Sequence, residues 1–153
     1  MVEIKRILVP LDRSQLAETA LPMALSLAKK YQAHVVLLHA LEPTTSLAYA
    51  TQPATLKLYT RLIDRLSLEA ELYLQEQQQQ LRQQGYKVET EIAKGLAAEC
   101  IIEAATRREI DLIVMSTHGR GGLARWTTGS VADKVLRHSP CPVLLVRQGV
   151  RFD

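Results

Sequence analysis

The feature that most constrains the fold is an alternation of short apolar runs with longer segments of helical periodicity. Five runs rich in Val, Ile and Leu are separated by segments in which apolar residues recur every three or four positions. The predicted strands cover residues 4 to 11, 33 to 40, 86 to 92, 111 to 116 and 142 to 147. Strands that alternate with helices form a parallel, doubly wound sheet with right-handed crossovers. The sequence therefore predicts an α/β domain with helices on both faces of a five-stranded sheet.

The third run distinguishes between two possible strand orders. Lys87, Glu89 and Glu91 alternate there with apolar residues, and a strand that is polar on one face belongs at a sheet edge. The third strand is an edge in the order 3-2-1-4-5 but central in the flavodoxin-like order 2-1-3-4-5. We therefore predict a Rossmann-like sheet of order 3-2-1-4-5. Its ligand crevice opens between strands one and four, at residues 10 to 12 and 116 to 120.

The helical segments carry their own boundary signals. Ser14 is a good N-cap for the first helix, and Pro22 should kink this helix or confine its regular part to the residues after Leu21. A long helix is predicted over residues 54 to 84, and two shorter ones over residues 96 to 108 and 130 to 137. The long helix is predicted to bury a stripe formed by Leu58, Leu62, Leu66, Tyr59 and Ile63.

Composition limits the class of protein. The chain has 153 residues, 47% hydrophobic and 23% charged, which is typical of one globular domain spanning residues 1 to 153. No apolar run approaches the roughly 20 residues of a membrane span. Charged residues interrupt the place where a secretory signal would sit. We therefore expect a cytoplasmic protein that does not cross a membrane.

Cysteine and histidine spacing gives no metal motif. Cys100 and Cys141 are too few for a disulfide framework and have no ligand-type neighbour in the sequence. His34 and His39 lie five residues apart on a predicted strand, so their side chains point to opposite faces. We predict two reduced cysteines and no metal site.

Positive charge is concentrated at the C-terminal end. The net charge is +3, and residues 117 to 153 hold six Lys or Arg against two Asp or Glu. Only 5% of the residues are aromatic, so a base-stacking surface for nucleic acid has little to be built from. The positive charge therefore favours a small anion over nucleic acid as the partner.

The glycine-rich run STHGRGG, residues 116 to 122, follows the fourth strand. After nine further residues from Gly119, Gly129 and Ser130 open the last helix. Glycines let the backbone approach an anion, and free N–H groups at a helix start attract one. The alternative is a plain turn in which Ser130, Thr127 or Thr128 caps the helix. His118 has no visible acid or nucleophile partner, so we assign it no catalytic role.

Four segments of the chain resemble the universal stress protein family: residues 4 to 14, 35 to 41, 111 to 123 and 127 to 147. Many members of that family bind ATP through a pattern of glycine, two residues, a second glycine, nine residues, and then glycine followed by Ser or Thr. The positions of this pattern are Ser116, Gly119, Gly129 and Ser130 in this chain. The resemblance implies an adenine nucleotide alpha hydrolase-like fold. Ser116 replaces the first glycine, and its Cβ would weaken binding if that position needs a positive φ.

The resemblance also implies roles for individual residues. Asp12, beside Pro10, would face the ribose or a metal-phosphate group, and the backbone of Ala40 and Met115 would frame adenine. The phosphates would be surrounded by Gly119, Arg120, Gly129, Ser130 and Val131. From the residues alone, Asp12 is also explained by a turn at a helix start, and Ala40 and Met115 by core packing.

The fifth strand is an edge in either strand order, yet its centre is apolar. An apolar edge calls for a cover, and the simplest one is the same strand of a second copy across a two-fold axis. The family resemblance also implies such a homodimer. The predicted contact residues are Val143, Leu144, Leu145 and Val146.

These features support one leading hypothesis and leave two alternatives. The leading hypothesis is an ATP-binding protein, with Mg²⁺ as an optional companion, that has a regulatory role in the stress response. The first alternative is a slow ATP-hydrolysing or phosphoryl-transfer enzyme in which Asp12 holds Mg²⁺ and His118 or Arg120 lies near the γ-phosphate. The second is a dimeric interaction module that binds no nucleotide.

Overall fold

A computed structural model of the chain describes residues 1–43, 52–117 and 130–152. It contains five strands: β1 (Arg6–Pro10), β2 (His34–Leu41), β3 (Val88–Lys94), β4 (Leu112–Thr117) and β5 (Val143–Arg147). The helices are α1 (Gln15–Glu18), α2 (Leu21–Tyr31), α3 (Pro53–Gln83), α4 (Ala97–Arg107) and α5 (Ser130–His138). The strands form one parallel sheet in the order β3-β2-β1-β4-β5. This confirms the predicted fold class and strand order.

The core has two layers because side chains alternate across each strand. Leu8 of β1 lies in register with Val36 of β2 and Ile113 of β4, and all three pack against α4 and α5. Ile7 and Val9 point the other way and pack against α2 and α3. The central strands are therefore buried on both faces, which explains their continuous apolar sequences.

Pro22 has the effect that the sequence predicts. α1 ends at Glu18, and α2 starts at Leu21 with Pro22 in its first turn. Proline is tolerated in a first turn because its missing N–H would have no intrahelical partner there. The segment is thus split into a short helix and a regular one rather than kinked in the middle.

Both edges of the sheet lie where the sequence places them. β3 forms one edge, and its carboxylates pair with two arginines at the C-terminal end of α4: Glu91 with Arg107 and Arg108, and Glu89 with Arg108 at 2.7 Å. The polar face of β3 is therefore covered by ion pairs that discourage another strand from adding there. β5 forms the opposite edge.

The predicted buried stripe of α3 is wrong in part. Leu58 and Leu62 are 66% and 45% exposed, and Tyr59, Ile63 and Leu66 are half-buried. The residues that α3 buries are Ala70, Leu74 and Leu81. Leucines spaced by four residues mark a stripe on a helix, but this spacing does not reveal which side the sheet covers, and α3 packs on the sheet only from about Ala70 onward.

The remaining structural expectations concern thiols and membrane spans. Cys100 and Cys141 are free thiols, and burial raises the pKa of both. Within residues 1–43, 52–117 and 130–152, no helix is both long and apolar enough to cross a lipid bilayer. The same residues contain no cluster of three or more His, Cys, Asp or Glu side chains that could hold a metal ion.

Candidate functional site

A pocket of about 570 Å³ opens at the carboxyl ends of β1, β2 and β4, beside the first turns of α1, α4 and α5. This volume is typical of sites for small organic ligands. Every predicted site residue that the structure describes lines the pocket: Pro10, Asp12, Ala40, Met115, Ser116, Ser130 and Val131. Gly119, Arg120, Gly129 and His118 lie outside the described residues.

The pocket has an apolar wall and a polar rim. Leu16, Leu66, Ile101 and Met115 contribute hydrophobic side chains. Met115 is buried and packs in the core between the sheet and α4 and α5, so core packing and pocket lining both apply to it. Such a wall suits a flat, weakly polar ring, and the rim suits the charged groups attached to it.

Asp12 shapes the loop between β1 and α1. Its Oδ1 accepts hydrogen bonds from the backbone N–H of Ser14, at 2.9 Å, and from the Ser14 hydroxyl. Ser14 Oγ in turn accepts the N–H of Ala17 at 3.0 Å. The helix-start turn is therefore present, and the Oδ2 atom of Asp12 has no hydrogen-bond partner in the described part of the chain.

One contact holds this loop against α3, and a second holds α1 against it. Arg13 pairs with Glu69 Oε2 at 3.1 Å, and the other oxygen of Glu69 pairs with Arg65 at 3.1 Å. The Arg65 hydrogen bond, followed by that of Arg13, lowers the pKa of Glu69. The Tyr73 hydroxyl donates to Glu18 at 2.6 Å. Burial, followed by this bond, raises the pKa of Tyr73.

Arg13 itself has an unusual backbone. Its φ is 71°, in the left-handed region that side chains with a Cβ rarely adopt, at an expense of about 1 kcal/mol. Its side chain nevertheless reaches Glu69 of α3. The loop conformation at the pocket mouth is thus supported by a side-chain contact with another element.

Ser116 uses its hydroxyl inside the protein. Ser116 Oγ donates to the carbonyl oxygen of Ala17 at 3.2 Å and lies 2.9 Å from Thr19 Oγ1. The residue belongs to β4, and its φ is not positive. The backbone penalty that a positive φ would impose at this position is therefore absent.

Thr117 has the opposite environment, since the next residue along a strand faces the other side of the sheet. It is only 7% exposed, and its Oγ1 atom is buried with no hydrogen-bond partner among the described residues. A buried hydroxyl without a partner costs about 1 to 3 kcal/mol. Thr117 lines the pocket together with Ser130 and Val131, so the pocket wall includes a residue with an unused donor.

The starts of three helices reach the pocket, and two of them are capped. Ser14 caps α1, and the first N–H of α4, on Ala97, donates to Glu42 Oε1 at 3.1 Å. α5 begins with Ser130, which is exposed and lines the pocket. No described side chain caps α5, and the positive end of its dipole is therefore the one that suits an anion.

Two polar pocket residues, His39 and Glu42, were not anticipated from the sequence. His39 is buried, and its Nδ1 lies 2.8 Å from the carbonyl oxygen of Leu11. Because a carbonyl oxygen can only accept, Nδ1 carries a proton and donates this hydrogen bond. The available signal was a polar residue inside the apolar part of a strand, since His34 stands at the start of β2 and His39 near its end. Thr117 falls within the predicted crevice range of residues 116 to 120, but the lack of a partner for its hydroxyl among the described residues was not predicted. The sequence contained no signal for Glu42, because its role depends on α4, which lies far along the chain.

Comparison with known proteins places this geometry in a family. The model of the universal stress protein family matches residues 3–147. Universal stress protein MJ0531 of Methanocaldococcus jannaschii is 31% identical over 144 residues, covering 94% of this chain and 82% of the relative. The structure of universal stress protein UspA from Lactobacillus plantarum superposes with a TM-score of 0.80 at 28% identity, covering 96% of this chain and 100% of that one.

A more distant structure shares the fold alone. It is a universal stress protein in complex with cAMP, with a TM-score of 0.62 and 20% identity, covering 96% of this chain and 99% of that one. The family match spans both sides of the crevice, from β1 to β5. This chain belongs to the universal stress protein family.

Proposed function

We propose that the pocket binds an adenine nucleotide, with ATP as the ligand. The observation that carries the proposal is the buried hydroxyl of Thr117, which has no partner among the described residues and lies beside the start of α5. A buried donor tends to be satisfied in the functional state of a protein. A phosphate oxygen at the α5 dipole would satisfy it.

The proposed orientation follows from the distribution of polarity in the pocket. The phosphates lie at Thr117, Ser130 and Val131, where the helix dipole favours negative charge. The adenine ring lies against the apolar wall, near Ala40 and Met115. Gly119, Arg120 and Gly129 complete the phosphate site in this proposal.

Asp12 has a separate place in the proposal. Its Oδ1 maintains the turn at Ser14, while Oδ2 is open to a ribose hydroxyl or to a Mg²⁺ ion that accompanies the phosphates. A hard cation such as Mg²⁺ prefers carboxylate and phosphate oxygens, so Asp12 fits that role chemically. Bound Mg²⁺ would neutralise part of the phosphate charge.

The proposed role of nucleotide binding is regulatory, in the stress response of the cytoplasm. The titratable side chains that the structure describes on the pocket wall already have structural partners: Asp12 supports a turn, Arg13 pairs with Glu69, His39 contacts the Leu11 carbonyl, and Glu42 caps α4. Groups held in this way suit a binding site better than rapid proton transfer. Occupancy by the ligand, rather than turnover, would then be the signal.

The comparisons support a nucleotide as the ligand. A universal stress protein with the same fold holds cAMP, which contains adenine, ribose and phosphate. We also propose a homodimer in which β5 pairs with the same strand of a second copy. This proposal is supported by the position of β5 at the sheet edge and by its half-buried Val143, Leu144 and Leu145.

The direct experiment has two readouts. Mass spectrometry of protein denatured after mild purification should identify an adenine nucleotide. Calorimetric titration should give a sub-millimolar Kd for ATP, and Gly129→Val should abolish the binding, because a branched side chain would crowd a phosphate that lies against the backbone. Absence of binding to wild-type protein at millimolar ATP would contradict the proposed function.

A further inference from the structure

The outer face of α3 carries an apolar stripe that no other described part of the domain covers. Its members are leucines that are 66%, 45%, 55% and 57% exposed: Leu58, Leu62, Leu68 and Leu72. At about 100° per residue they fall within an arc of about 120°, on the side opposite the buried residues of the same helix. Isolated exposed leucines are ordinary, but four on one side of a helix, in two i,i+4 pairs, mark an interaction surface. We call these four residues the outer leucine stripe.

The outer leucine stripe is symmetric about Arg65. Leu58 and Leu72 lie equally far from Arg65 along the helix, and Leu62 and Leu68 lie equally close to it. If a second α3 lies antiparallel with a two-fold axis at Arg65, Leu58 comes opposite Leu72 of the second copy. In the same register, Leu62 comes opposite Leu68 of the second copy. All four leucines of each helix are then paired.

The charges on this face fit the same register. Arg61 and Glu69 are also equidistant from Arg65, so Arg61 comes opposite Glu69 of the second copy. The two copies of Arg65 meet on the axis in this register, and each pairs with Glu69 of its own helix at 3.1 Å, which offsets their repulsion. A parallel arrangement would instead set each of these charges beside its own copy, which is repulsive. Charge complementarity therefore selects the antiparallel pair.

We propose that α3 is a self-association surface on which the outer leucine stripe packs against the same stripe of a second copy. The contact is isologous, because the same patch is used on both chains. It uses α3 and not β5, and it does not depend on nucleotide binding. A chain with both two-fold contacts forms tetramers or longer assemblies, depending on how the two axes combine.

The first experiment separates this contact from β5. Light scattering of Leu145→Arg, in which pairing through β5 is blocked, should still give twice 17.1 kDa. Adding Leu62→Glu and Leu68→Glu should reduce the mass to 17.1 kDa. The matched control is Leu56→Glu on the same helix, which is 51% exposed but lies off the stripe, and it should leave the mass unchanged. A monomeric Leu145→Arg protein, or a stripe variant that still forms a dimer, would overturn the proposal.

The second experiment tests the register in protein with an intact β5. Leu58→Cys mixed with Leu72→Cys should form a disulfide-linked dimer under mild oxidation, several-fold more than either variant alone. In the antiparallel pair, two copies of position 58 are about 21 Å apart at ~1.5 Å per residue, which is too far for a disulfide. Wild-type protein is the control for disulfides formed by the native free thiols, Cys100 and Cys141. Equal linking by Leu58→Cys alone would overturn the antiparallel arrangement, as would no linking in the mixture.

Discussion

The hydroxyls of Ser116 and Thr19 lie 2.9 Å apart and join β4 to the turn between α1 and α2. The hydroxyl of Thr117, one residue later, has no such partner in the described part of the chain. Two adjacent hydroxyls on one strand thus have different environments. This difference allows the structural and the binding roles of the strand end to be separated.

Thr117→Val should raise the Tm of the free protein by about 2 to 4 °C, because it removes an unpartnered buried hydroxyl. The same change should weaken ATP binding by about tenfold, the equivalent of one lost hydrogen bond. Scanning calorimetry and titration calorimetry give the two values. Ser116→Ala is the matched control, for which we expect a lower Tm and an unchanged Kd. A destabilised Thr117→Val protein with wild-type affinity would mean that this hydroxyl is satisfied within the protein.

Arg13→Gln should raise the pKa of Glu69 toward its ordinary value, because it removes one of the two arginines that lower it. A carboxylate whose pKa is lowered by folding stabilises the protein at pH values above its pKa in the unfolded state, near 4.5. This stabilisation disappears as the pH falls through the lower pKa of the folded state. The stability difference between wild type and Arg13→Gln should therefore shrink in acid. Carbon-detected NMR titration measures the pKa directly.

Arg137→Gln is the control for this titration, because Arg137 pairs with Asp133 of α5 and not with Glu69. The Glu69 titration should be the same in this variant as in wild type. If the Glu69 pKa were also unchanged in Arg13→Gln, the contact between the pocket loop and α3 would be absent in solution.

Tyr73→Phe should destabilise the protein by about 1 kcal/mol, because it removes the hydrogen bond to Glu18. Burial and Glu18 raise the pKa of Tyr73 above the ordinary value of 10.0, so the protonated form is favoured in the fold. The stabilisation that the protonated Tyr73 hydroxyl provides is therefore complete below pH 10 and is lost as the pH rises further. In a phenolate absorbance titration, the variant should lack the latest-titrating tyrosine, whereas Tyr31→Phe, at an exposed site, should retain it.

Leu145→Arg should convert a dimer of the Leu62→Glu, Leu68→Glu protein into a monomer of 17.1 kDa, because the introduced charge would be buried in the strand pairing at β5. Sedimentation velocity measures this change. Val150→Arg, at a 46% exposed position just beyond β5, should preserve the dimer. A protein that is already monomeric before Leu145→Arg is introduced would exclude the proposed β5 pairing.

The sheet could be predicted from the sequence because its order depends on local patterns. The alternation around Glu89 and Glu91 marks β3 as an edge, and the continuous apolar runs mark the central strands. The positions of Pro10, Asp12, Ser116 and Ser130 around one pocket follow from topology, since the carboxyl ends of neighbouring parallel strands meet at one side of the sheet.

The environment of single atoms could not be predicted in the same way. Whether a hydroxyl such as that of Thr117 has a partner depends on residues far along the chain, and the capping of α4 by Glu42 joins elements on either side of the long helix. The error in α3 has a related cause. Leu58 and Leu62 have the spacing of a packed face, but tertiary contacts determine which side of a long helix is covered.

The contact between Arg13 and Glu69 has a consequence for the conditions in which this protein works. Both side chains are substantially exposed, and dissolved ions weaken attraction between exposed charges. A strained backbone residue at the pocket mouth is therefore supported by a bond that loosens as ionic strength rises. The shape of the binding loop should respond to the salt content of its surroundings, even when no nucleotide is bound.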